Sequence, residues 1–94
     1  MSKKEKVNPF YYQKEADKGN PDAMCMYAEI LYKGKGLPIN KKESARYFRG
    51  AANQGNVKAM VNYANIIGKG DGVPVNKKES AKYFKRAADK GEVN

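Results

Sequence analysis

Cys25 is the only strong nucleophile in this sequence. A thiol attacks as its thiolate and needs a nearby base or cation to reach that state. The chain has no histidine, the commonest such partner. One thiol and no histidine also leave the common zinc-ligand spacings unfilled. One period later Val61 takes the place of Cys25, which reads as a small hydrophobe on a helix. The second pattern with chemical potential is Gly34-Lys35-Gly36 and its copy Gly70-Asp71-Gly72. Paired glycines cradle phosphate when they follow a strand and lead into Gly-Lys-Ser/Thr. Here they follow a helical pattern and no such triplet comes next, so they read as a turn. The sequence therefore predicts no catalytic residue, metal, cofactor or small-molecule substrate.

Charge is the remaining signal. Nineteen Lys and Arg stand against ten Asp and Glu, a net charge of +9. Lys42, Arg46, Arg49, Lys78, Lys82, Lys85 and Arg86 would share one outer ridge. Such a ridge can meet nucleic-acid phosphates or an anionic surface. Aromatics that would stack on bases do not interleave with it, so a solvated face is the first reading and nucleic acid the second. A lone cysteine makes no internal disulfide. No run approaches the ~18 apolar residues of a membrane span. The basic start lacks the apolar core of a secretory signal. A cytoplasmic setting is the expectation.

The elements that must position these residues come from an internal repeat. Residues 16–51 and 52–87 align without a gap, and 21 of the 36 positions are identical. Ala23, Met24, Tyr27, Ala28 and Leu31 recur in steps of three and four. So do Ala59, Met60, Tyr63, Ala64 and Ile67. Each set draws one face of a helix, called helix A and predicted over Pro21–Lys33 in the first copy. Gly34 and Gly70 follow, as glycine does where a helix ends at positive φ. The next helix, B, starts behind Asn40 or Asn76, with Glu43 or Glu79 three residues on, an arrangement resembling a capping box. Ala45, Phe48, Ala51 and Ala52 form its predicted core stripe, with Phe84 the copy of Phe48. Leu37 and Ile39 are expected to pin the intervening loop.

Asn8-Pro9 opens a lone helix B that runs to about Lys18. Residues 1–7 are expected to be a disordered basic tail. Residues 8–94 form the repeat domain, with a half repeat at 8–19 and repeats at about 20–55 and 56–91. Gly91 to Asn94 matches the start of a further repeat, so a piece of a longer array is the expectation.

Taken together these residues resemble the Sel-one-like repeats, relatives of the tetratricopeptide repeat. The resemblance is carried by Ala23, Tyr27 and Ala28, then Gly34 to Pro38, then Asn40 and Ser44-Ala45. It continues through Tyr47-Phe48, Ala51-Ala52 and Gly55. Two positions depart from the family's habit, which favours aspartate at the cap and tryptophan as the first aromatic. The resemblance implies an all-α, right-handed α/α solenoid of five helices, ordered B-A-B-A-B, with helix A lining a concave surface. It also implies non-enzymatic adaptor or scaffold work, signalling included, with a protein or peptide partner.

Turning helix A away from its core stripe leaves Asp22, Cys25, Glu29, Tyr32 and Lys33 in the first copy. The second copy leaves Lys58, Val61, Asn65 and Lys69, with Gly68 where the first has Tyr32. These are the candidate partner-binding residues of the concave face. Tyr32 is the expected anchor, an aromatic with a polar tip.

Overall fold

The computed structural model describes residues 8–91. Five helices follow one another: α1 (Pro9–Asp17), α2 (Pro21–Lys33), α3 (Lys41–Asn53), α4 (Val57–Lys69) and α5 (Lys77–Gly91). No strand occurs among the described residues. None of their helices is long and apolar enough to cross a membrane. The expected N-terminal tail and the last three residues lie outside the described range. Each helix packs chiefly on its neighbours in sequence, which is the contact pattern of a solenoid.

Asparagine starts every helix. The Oδ1 of Asn8, Asn20, Asn40, Asn56 and Asn76 accepts from first-turn amides that have no partner within the helix. The expected capping box is only half built. Glu43 turns to Arg46, and Glu79 accepts from the side-chain amide of Asn76 rather than from its backbone. The backbone amides of Asn40 and Asn76 are already taken, donating to Leu31 and Ile67 carbonyls at 2.8 and 2.7 Å. The loop folds each cap back under the preceding helix A, and this displaces the reciprocal bond. Gly34 and Gly70 stand at φ 74° and 69°, so the glycine pairs do serve a turn. Leu37 packs against the core as expected, but Ile39 is 61% exposed and pins little.

The two repeats share their internal joints. Ser44 Oγ donates to the Ala28 carbonyl at 2.6 Å, and Ser80 Oγ to that of Ala64 at 2.7 Å. These bonds satisfy two buried hydroxyls and fasten helix B to helix A. Tyr27 meets Tyr47 edge to face at 4.9 Å, and Tyr63 meets Tyr83 in the same way at 4.9 Å.

Three burial expectations need correction. Cys25, placed above on the concave face, is 4% exposed and belongs to the main core. Ile30 and Ile66 are also buried, although they lie outside the predicted stripe. Helix A is covered on a second side by the neighbouring repeat, so its buried arc is wider than one helical stripe. Phe84 is 41% exposed where Phe48 is 2% exposed. Phe48 lies beneath α4, whereas α5 is the last described helix.

Candidate functional site

Exposed and half-buried residues of helix A fall on one line in each copy. On α2 they are Asp22, Met26, Glu29 and Lys33, spaced by four, three and four. On α4 the same register holds Lys58, Asn62, Asn65 and Lys69. That spacing keeps four side chains on one helix face over three turns. Between the two lines runs an open groove of about 340 Å³, floored by Phe48 and Ile66. Six candidates from the sequence meet there: Glu29, Tyr32, Lys33, Lys58, Asn65 and Lys69.

The other three do not. Asp22 lies further along α2, in a shallow depression with Tyr11, Tyr12 and Met26, and accepts a hydrogen bond from Asn56 Nδ2 at 3.1 Å. Cys25 is buried beneath the groove. Its thiol is pushed up to about 11, first by burial and then by the Glu29 carboxylate, so almost no thiolate exists near neutrality. Val61, its counterpart on α4, is 36% exposed and lies outside the groove.

An ion pair crosses the groove wall. Lys58 Nζ lies 2.9 Å from Glu29 Oε2, tying α4 to α2. This hydrogen bond raises the lysine's pKa, the nearby carboxylate charge adding to it. Lys33 and Lys69, at the C-terminal ends of α2 and α4, make no ion pair among the described residues.

Tyr32 is less free than the sequence implied. Its hydroxyl donates to Asp71 Oδ2, in the loop after α4. Lys41 Nζ donates to the other oxygen of Asp71 at 2.8 Å and stands 5.1 Å from the centre of the Tyr32 ring. These two bonds, that of Lys41 first, hold the Asp71 carboxyl below the usual carboxylate range. Asp71 thus clamps the second repeat to the first. Close approach makes this contact possible: a Cβ on Gly72 would sit 2.5 Å from Lys41 Cβ. Sequence reasoning missed Asp71, Lys41, Met26 and Asn62. Met26 and Asn62 were legible as the missing members of the four-three-four line, while Asp71 gives no local signal.

The basic ridge on helix B is exposed apart from half-buried Arg86. Arg46 pairs with Glu43 at 2.8 Å and stacks over Tyr47. Lys85 pairs with Asp89 at 3.3 Å, and Arg86 donates to Asn53 at 3.2 Å. Lys42, Arg49, Lys78 and Lys82 make no ion pair among the described residues.

Comparison with known proteins fits this architecture. The pattern described as the Sel1 repeat matches residues 21–56 and 57–92. A Sel1 repeat protein from Oxalobacter formigenes aligns with a TM-score of 0.86 and 30% identity, over 89% of this chain and 35% of its own. A protective antigen of uropathogenic Escherichia coli that displays the SLR fold aligns with a TM-score of 0.85 and 30% identity, over 88% and 18%. Helicobacter pylori cysteine rich protein B aligns with a TM-score of 0.85 over 90% and 67%; at 19% identity that likeness concerns the fold. The chain therefore spans about a third of the first of these proteins and less than a fifth of the second. No curated protein matches it.

Proposed function

The chain belongs to the Sel1 repeat family, whose repeats generally act as protein–protein interaction modules, and from that premise we propose that it holds a protein or peptide segment in the groove between α2 and α4. It does so by binding alone, as an adaptor or scaffold. One observation carries this reading. Within helix A most packing residues are the same in both copies: Ala23 and Ala59, Met24 and Met60, Tyr27 and Tyr63, Ala28 and Ala64, with Leu31 replaced by the similar Ile67. Most positions in and beside the groove differ, Met26 against Asn62, Glu29 against Asn65 and Tyr32 against Gly68, while Lys33 and Lys69 are the same. Packing explains the sameness, and a surface that discriminates along its length explains the difference.

Selection of binders from a random peptide library tests the proposal. Selected peptides should lose about tenfold in affinity with Asn62→Ala combined with Asn65→Ala, and change little with Lys82→Ala on the ridge. Peptides indifferent to the groove pair would refute it. The ridge is the second reading, favoured by its four unpaired cations. Counterion release would then make affinity for nucleic acid fall steeply with salt.

A further inference from the structure

We infer that the segment held in the groove is acidic, its carboxylates lying over Lys33 and Lys69. This rests on the groove reading above and adds the chemistry of the partner. Glu29 is the one carboxylate lining the groove, and Lys58 already occupies it. Lys33 and Lys69 remain, in the same register on successive helices A, with no ion pair among the described residues, although Asp71 feels the charge of Lys69. The cationic lining continues onto α5. A second depression shares Asn65 and Lys69 with the groove and adds Lys77.

At the other end of the α2 line the charge reverses. Asp22 and Glu15 stand there beside Tyr11, Tyr12 and Met26. The charge thus runs from acidic and aromatic at α1 and the N-terminal end of α2 to basic at the C-terminal ends of α2 and α4 and the start of α5. A bound acidic segment is therefore directed to Lys33 and Lys69 and kept off the Asp22 end of α2, by attraction at one end and repulsion at the other. Between the lysines, Asn62 and Asn65 make no side-chain hydrogen bond among the described residues. Carboxamides both donate and accept, which suits the backbone of an extended chain. At roughly 3.3 Å per residue, crossing a body 31 Å wide takes about nine residues.

The test uses a labelled glutamate-rich peptide of about nine residues, its Gln and Lys counterparts, and a single-stranded RNA of similar length, followed by anisotropy. The Glu peptide should bind. Lys33→Glu with Lys69→Glu should weaken it by about tenfold or more. Lys82→Glu with Lys78→Glu, the same charge change on the ridge, should alter it by about twofold at most. The groove double variant should also gain affinity for the Lys peptide. All four lysines are exposed, and circular dichroism verifies that each variant is folded. Equal loss from groove and ridge variants would reduce the effect to general charge attraction and overturn the inference. RNA binding that depends on Lys33 and Lys69 and exceeds that of the Glu peptide would overturn it in favour of nucleic acid. Groove-dependent binding of the Gln or Lys peptide by the wild type, at or above that of the Glu peptide, would sink the acidic partner and leave the groove reading standing. Failure of the Glu peptide to bind would likewise end the acidic inference, while library selection decides the groove independently.

Discussion

Phe48 and Phe84 are the same residue of the repeat, 36 positions apart, yet one is 2% exposed and the other 41%. Cys25 and Val61 make the same contrast, 4% against 36%. Local sequence, helix and cap are nearly alike in both cases. What differs is the neighbour: α4 covers the first position of each pair, and no described helix covers the second. In a solenoid, a residue's energetic worth is set by the adjoining repeat as much as by its own.

Truncation should separate the two phenylalanines most sharply. Phe48→Ala removes a buried ring beneath α4 and should cost about 3–5 kcal/mol. Phe84→Ala removes a ring that is already partly in water and should cost about 1–2 kcal/mol. Urea denaturation gives both values. Equal costs would mean that α4 does not determine the difference.

The caps should show the opposite, no contrast at all. Asn40→Ala and Asn76→Ala each leave one first-turn amide unpaired, that of Glu43 or Glu79. Each should cost about 1 kcal/mol. A large gap between the two in the same denaturation series would show that end position weakens the cap as well as the core.

Much of this was legible in the sequence, and the residues show why. Proline after asparagine, then glycine after the last periodic residue, bounded α2 at Pro21–Lys33 because capping chemistry is local. The Ala-Tyr-Ala core of helix A was legible because helical periodicity is local too. Cys25 was misplaced and Ile30 passed over because a helical wheel describes one partner, and α2 packs on both α1 and α3. Asp71 was invisible because its bond to Tyr32 spans 39 residues, and neither residue keeps its identity in the other copy. Six of the nine candidates line the groove: divergence between copies marks Glu29, Tyr32, Lys58 and Asn65 as surface, and helical register places Lys33 and Lys69 beside them. The exposed face of helix A was rotated by about one residue, which put buried Cys25 in and left Asn62 out of the groove.

Thiol chemistry sharpens the Cys25–Val61 contrast. Cys25 should react slowly with an aromatic disulfide reagent in the native protein. A Cys25→Ala, Val61→Cys variant places the thiol on exposed surface and should react about tenfold faster or more. Similar rates would contradict the burial of Cys25.

The smallest effect belongs to the clamp. The folded state keeps Asp71 ionised to lower pH than the unfolded chain does. The unfolded state therefore takes up the proton first as pH falls. The clamp's contribution is complete above the ordinary carboxylate value and fades as pH drops through the depressed folded value. Asp71→Asn should lower stability slightly at neutral pH, and the difference from wild type should shrink in acid. A difference that grows in acid would show that the carboxylate is not what stabilises the contact.

We propose that the groove, and not the ridge, meets the partner. Backbone amide NMR of the labelled protein, titrated with a library-selected peptide at near-physiological salt, tests it most directly. Shift changes are expected to concentrate on Glu29, Lys33, Lys58, Asn62, Asn65 and Lys69, with Arg49, Lys78 and Lys82 still. Shifts confined to the ridge residues, with the α2 and α4 lines unmoved, would contradict it.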